Sequence, residues 1–194
     1  MAQGSSDTEL IQAYLAGDAE SFNTLYDRYK RQLYAYLNRL LNGHTANADD
    51  LFQQTWLKAI ANLEKYRDRE LFLAWLMRIA HNLTVDYFRR AERRAEEVFD
   101  EAYADKPDGT LFQRTARSPG EELEESELEK AIRDAVQELP PELREVFLLR
   151  QEDVPFREIA EIQNCSINTC LARMRYALDK LRARLQVWTK TESR

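Results

Sequence analysis

The chain has 194 residues, 44% of them hydrophobic, which is enough for a packed core and too much for a wholly disordered polypeptide. With only 5 Gly and 5 Pro it is a poor candidate for an all-β protein full of tight turns. The formal net charge of −6 argues against nucleic-acid binding, but its distribution matters more: residues 95–130 carry 12 acidic and 4 basic side chains, residues 166–190 carry 1 and 6, and residues 71–94 carry 2 and 5.

In chain order, Ser6 or Asp7 can cap a first helix bearing Leu10, Ile11, Tyr14 and Leu15, which stops at Gly17. Asp18 starts a second, with Phe22, Leu25, Tyr26, Tyr29, Leu33, Leu37 and Leu40 at steps of three and four, ended by Gly43. A third is expected to begin near Asp49 or Asp50, whose charges suit a helix N-terminus, with Leu51, Phe52, Trp56, Ile60 and Leu63 on its apolar side. Charged residues Arg67 to Glu70 make a break. A fourth helix then carries Phe72, Trp75, Leu76, Ile79, Leu83 and Tyr87. Four amphipathic helices with short connections form one bundle. On the fourth, Arg78, Asn82 and Arg89 share a side, widened by His81, Arg90, Arg93 and Arg94. Such a face suits a nucleic-acid backbone, although a solvated helix end is the plainer reading.

From about Ala95 to Glu125 the periodicity is lost. Pro107, Gly109, Pro119 and Gly120 and the excess of acid mark a flexible linker, with a short helical turn around Val98 to Tyr103. A second periodic block starts near Glu125 with Leu128, Ile132, Ala135, Val136 and Leu139. Pro140 and Pro141 end that helix, and Pro141 suits the first turn of the next, which carries Leu143, Val146, Phe147 and Leu149.

Pro155 can open a short helix with Phe156, Ile159, Ala160 and Ile162; Asn164 tolerates the left-handed backbone of a tight turn; Ser166 is an N-cap for a long helix. That helix is expected to bury Ile167, Cys170, Leu171, Met174, Leu178, Leu181 and Leu185. It would expose Thr169, Ala172, Arg173, Tyr176 and Lys180, flanked by Arg175, Arg182 and Arg184. A short helix, a tight turn and a basic second helix can set that second helix in the DNA major groove. Arg173 could pair with guanine or phosphate, and Asn168 and Thr169 lie at the helix start within reach of bases. Periodicity and charge would also fit an ordinary amphipathic helix; the preceding short helix and turn weigh against that.

Cys165 and Cys170 lack the spacing of a metal or redox pair and read as small apolar residues in a reducing compartment. No Ser/His/Asp or Cys/His pattern, phosphate loop or metal-ligand spacing is present, so no enzyme, cofactor or metal is expected. Apolar runs are too short to cross a bilayer, and MAQGSSDTEL lacks the features of a signal peptide. The expectation is a cytoplasmic protein without membrane insertion.

Three stretches, DDLFQQTWLKAIANLEKYR, LAWLMRIAHNLTVDYFRR and LPPELREVFLLRQEDVPFREIAEIQNCSINTCLARMRYALDKLR, resemble the extracytoplasmic-function (ECF) sigma factors of the sigma-70 family. The resemblance implies an all-α protein of two small helical domains. Sigma region 2 would span 5–95 and region 4 would span 125–188, joined by the flexible acidic linker 96–124. It implies a non-enzymatic factor that directs core RNA polymerase to specific promoters and assists their melting. Asp50, Gln53, Gln54 and Lys58 would meet the coiled coil of the polymerase β′ subunit; relatives usually have Gln-Glu where this chain has Gln53-Gln54. Arg78, His81, Asn82, Arg89 and Arg90 would hold the melted −10 element. The helix-turn-helix, through Ser166, Asn168, Thr169, Arg173, Arg175 and Tyr176, would read the −35 element. The loop Arg67 to Leu71 would form part of a pocket for a flipped base, and the linker, through Glu121, Glu122, Glu124 and Glu125, would imitate nucleic acid in a basic polymerase channel. Implied partners are the β and β′ subunits, promoter DNA and an anti-sigma factor. The competing reading is a stand-alone helix-turn-helix transcriptional regulator, which would bind duplex DNA without polymerase.

Overall fold

The computed structural model describes residues 4–67, 71–100 and 127–189, and among them the regular structure is helical with no strand. The helices are α1 (Asp7–Leu15), α2 (Ala19–Leu40), α3 (Thr45–Asn62), α4 (Phe72–Asp100), α5 (Glu127–Gln137), α6 (Pro141–Gln151), α7 (Phe156–Ile162) and α8 (Ile167–Thr189), with a short 3-10 turn after α3. Loop residues 68–70 and the acidic segment 101–126, with Glu121, Glu122, Glu124 and Glu125, lie outside the described residues. The helix α4 runs to Asp100, so the first residues of the segment read as linker continue that helix.

In the N-terminal unit the caps are those the sequence offers. Ser6 and Glu9 form a reciprocal capping box: Glu9 N–H donates to Ser6 Oγ (3.3 Å) and Ser6 N–H to Glu9 Oε2 (2.7 Å). Gly17 takes φ +107°, a conformation costly for any residue with a Cβ, and turns the chain into Asp18, which accepts from Glu20 N–H at 3.1 Å. The helix α3 starts at Thr45, earlier than Asp49 or Asp50. Ala48, within this extra turn, is fully buried, so packing rather than a capping acid sets the start. The core is rich in rings: Tyr26 lies 4.9 Å and Phe22 5.8 Å from Trp56, and Phe72 sits between Tyr29 (5.3 Å), Tyr66 (5.5 Å) and Trp75 (5.6 Å). Leu25, Leu33, Leu37, Leu76 and Met77 fill the space around them.

In the C-terminal unit, Pro141 opens α6, and Asn164 adopts φ +48° in the turn between α7 and α8. Ser166 Oγ accepts from Thr169 N–H at 3.1 Å and caps α8. The buried side of α8 is Cys170, Ala177 and Leu181, with Met174 and Leu185 packed alongside. Ile167 and Leu171, expected in the core, are 48% and 44% exposed. The buried line runs through Cys170, Ala177 and Leu181, and Ile167 and Leu171 flank it on the outer surface at the start of α8. Burial pushes the Cys170 thiol up to about 11, so it behaves as a small apolar core residue.

The two units pack on each other, α2 against α6 and α4 against α7. This junction determines what the candidate sites can reach.

Candidate nucleic-acid interfaces

The helix-turn-helix is formed by α7, the Asn164 turn and α8. Ser166, Asn168, Thr169, Arg175 and Tyr176 are all exposed along the N-terminal half of α8. The Thr169 and Ser166 hydroxyls are 2.8 Å apart, and the Arg175 guanidinium lies 5.5 Å from the Tyr176 ring centroid, which holds both side chains on one outer surface. Arg173 differs from the rest. It is half-buried, and its Nη1 donates to Gln163 Oε1 at 2.9 Å.

The basic face of α4 splits in the same way. Asn82, Arg89 and Arg90 are exposed, as is Arg93, whereas the side chain of Arg94 lies outside the described residues. Arg78 turns toward the C-terminal unit, where Nη2 lies 2.8 Å from Glu161 and 3.7 Å from Glu158. His81 Nδ1 lies 2.7 Å from Glu145 Oε1.

Sequence reasoning passed over Glu145, Tyr36 and Gln163, which organise this junction. Glu145 is 6% exposed. Tyr36 Oη donates to Oε1 at 2.7 Å, and Gln163 Nε2 donates to Oε2 at 2.9 Å. Burial alone would raise the Glu145 carboxyl, but the hydrogen bonds from His81, Tyr36 and Gln163 outweigh it and hold the group below the usual carboxylate range. An ionised Glu145 only accepts, so His81 Nδ1 carries the shared proton. Burial and the neighbouring carboxylate push the Tyr36 phenol well above its ordinary value, so it remains a donor.

Beside Glu145, the buried Arg144 donates to Leu139 O (3.1 Å) and Gln137 O at the end of α5, and to Asn42 Oδ1 and Leu40 O (3.5 Å) at the end of α2. One guanidinium thus serves the carbonyl ends of helices in both units. Arg39 Nη1 adds a contact to Gln151 Oε1 at 3.1 Å. The available signal was the Arg144-Glu145 pair, which interrupts the apolar run from Leu143 to Leu149.

On α3, Asp50, Gln53 and Lys58 are exposed and Gln54 is half-buried, its Nε2 donating to Asp50 Oδ2 at 2.8 Å. Leu57, 67% exposed on the same helix, places an apolar side chain among them. Among the described residues no cluster of three or more His, Cys, Asp or Glu could hold a metal, and no helix is long and apolar enough to cross a membrane.

Comparison with known proteins accounts for both units. The Sigma-70 region 2 family matches residues 25–94 and the Sigma-70 region 4 family matches residues 129–181. The chain is 30% identical to the ECF RNA polymerase sigma-E factor of Haemophilus influenzae over 96% of this chain and 98% of that one. It is 28% identical to the ECF RNA polymerase sigma factor SigW of Bacillus subtilis, over 91% and 95%. In fold it is similar to the sigma factor RpoE of Bartonella quintana, solved in complex with the anti-sigma factor NepR (TM-score 0.69, 22% identity, 87% of this chain and 99% of that one). The chain therefore belongs to the ECF sigma factors of the sigma-70 family and is an RNA polymerase sigma factor, with a region 2 bundle followed by a region 4 helix-turn-helix.

Proposed function

We propose that this sigma factor engages promoter DNA at two places and core polymerase through a third surface, with region 2 spanning 5–95 and region 4 spanning 125–188. Region 4 reads the −35 element through Ser166, Asn168, Thr169, Arg173, Arg175 and Tyr176. The observation that carries this is the Ser166-capped start of α8, which presents exposed polar and basic side chains beyond the α7 turn. Region 2 holds the melted −10 strand through Arg78, His81, Asn82, Arg89 and Arg90, because single-stranded DNA needs positive charge and donors to replace its paired state. Asp50, Gln53, Gln54 and Lys58 meet the polymerase β′ coiled coil, with Leu57 supplying apolar area.

The factor itself catalyses no reaction, acts in the cytoplasm and is a target for an anti-sigma factor of the kind bound to the Bartonella quintana relative. The acidic linker occupies a basic polymerase channel during initiation. Transcription reconstituted from core polymerase, this chain and a random promoter library tests the reading. Specific start sites are expected, and Arg175→Ala and Asn168→Ala should change which −35 sequences are recovered. A library that returns no preferred −35 sequence, or an unchanged one with both variants, would contradict it.

A further inference from the structure

Two large apolar side chains stand in the open at the start of the recognition helix. Ile167 and Leu171 are 48% and 44% exposed, while Cys170, between them in the chain, is fully buried. A spacing of four residues sets both on one face of α8. The same spacing brings Arg175 next to Leu171, and Asn168 lies three residues before it. Asn168, Leu171 and Arg175 therefore form one exposed row, with Ile167 at its edge. A single exposed apolar side chain is ordinary, but a pair set within the polar row of a helix-turn-helix is not.

The neighbours decide what covers the pair. Region 4 has a second half-exposed pair at the same spacing, Leu128 and Ile132 on α5, but Glu127 and Glu129 stand beside it and repel a phosphate backbone. Beside Ile167 and Leu171 stand the Asn168 amide, the Thr169 hydroxyl and the Arg175 guanidinium, and residues 166–190 carry 6 basic and 1 acidic side chains. That charge fits duplex DNA. In the major groove the base edges are polar except at one place, the C5 methyl group of thymine. Any other base edge against Leu171 would lose its water and gain no hydrogen bond, so one side chain both favours thymine and disfavours the alternatives.

We propose that Leu171, with Ile167 beside it, is a specificity-determining residue of region 4 that reads the methyl group of a thymine in the −35 element. The inference rests on the −35 role proposed above for α8. Arg175 and Asn168 hold the helix in the groove through charge and hydrogen bonds, and the apolar pair adds a preference that neither can supply. The two contributions differ in kind. A contact between carbon atoms is indifferent to salt, whereas the part of Arg175 weakens as salt rises.

The test uses holoenzyme and pairs of promoter duplexes, recovered from the library, that differ by one methyl group. Each −35 thymine is replaced in turn by deoxyuridine, which pairs identically. One replacement should weaken binding of the wild-type holoenzyme roughly fourfold, the effect of one buried methyl-sized group. Leu171→Ala should weaken binding to the thymine duplex and abolish the difference between the two duplexes. Leu171→Met, which keeps an apolar side chain, should retain most of the difference. Arg175→Ala should weaken binding to both duplexes and leave their ratio as it was, and the wild-type ratio should hold as salt is raised. Leu171 is exposed, so its variants spare the fold, which circular dichroism verifies. Equal binding of the wild type to thymine and deoxyuridine at every −35 position overturns the proposal. So does a difference that persists in Leu171→Ala, or a recovered −35 element with no thymine on either strand. If Leu171→Ala lowers transcription equally from both duplexes while the difference in binding remains, the pair meets a protein and not a base, and the proposal falls. The −35 role of α8 fails separately, if scrambling the whole −35 element leaves wild-type binding unchanged.

Discussion

Region 2 and region 4 solve the same problem, packing four amphipathic helices, with different side chains. Region 2 is held by interlocked rings: Phe22, Tyr26, Phe52 and Trp56 at one end, Tyr29, Tyr66, Phe72 and Trp75 at the other. Region 4 buries mainly aliphatic side chains, Val146, Leu148, Leu149, Val154, Ile159 and Ile162, and places Arg144 and Glu145 where it meets region 2. Rings bury apolar area that gains nothing from contact with water. Charged groups at a junction cost little when it separates, because water replaces their partners, and they demand a specific geometry when it closes. The difference separates a rigid platform from a unit that docks on it.

The largest effect should confine itself to the platform. Trp56→Ala removes the ring that Phe22, Tyr26 and Phe52 pack on and should lower the stability of region 2 by roughly 3–5 kcal/mol. Thermal unfolding should then split into two transitions, with region 4 melting close to its original temperature. A single transition shifted as a whole would show that the halves do not unfold separately. Next comes Arg144→Met, which fills the space but removes charge-assisted bonds to the ends of α2 and α5. A loss of roughly 1.5–3 kcal/mol is expected in urea unfolding, together with an increased radius of gyration of the free chain in small-angle scattering. Stability lost without expansion would mean that Arg144 serves only its own unit.

How much of this was open to reading from the residues follows the same division. The capping box at Ser6, the Asp18 cap, the Pro141 start, the Asn164 turn and the Ser166 cap are local chemistry, and all are found where side-chain type and spacing place them. The start of α3 was misread because burial of Ala48 extends the helix without a capping signal. Ile167 and Leu171 were misread because an apolar stripe reports which residues could be buried, and the crossing of α8 over its neighbours decides which are. The basic face of α4 was legible as a face. Its division into an outer part, Asn82, Arg89 and Arg90, and an inner part, Arg78 and His81, depends on a partner more than sixty residues away in the chain.

Two smaller tests sharpen the contrast. Ser166→Ala should cost region 4 about 1 kcal/mol through the lost cap and weaken −35 recognition, while leaving region 2 unaffected. A matching loss in region 2 would tie the recognition-helix start to the platform. The smallest effect is that of pH. Tyr36 from α2, His81 from α4 and Gln163 from the end of α7 face Glu145 and keep its carboxyl below the ordinary value. The contribution of Glu145 to closure is therefore complete above the ordinary glutamate pKa of about 4.3, and is lost as pH falls through the lower value of the closed form. A protonated His81 remains a donor and does not open the contact. Scattering should show a constant radius from pH 8 to pH 5 and expansion below pH 4, absent in Glu145→Gln; expansion near pH 6 would point to a different group.

Tyr36 reports on the junction between the two units directly, because it is 1% exposed and its hydroxyl ends on Glu145. Hydroxyl-radical footprinting of the free, full-length chain, read by mass spectrometry, measures that protection. Tyr36 should be oxidised slowly in the wild type and several-fold faster in Glu145→Gln, with Phe72 in the region 2 core unchanged in both. Equal oxidation of Tyr36 in the two proteins would contradict the closed arrangement on which this reading of the molecule stands.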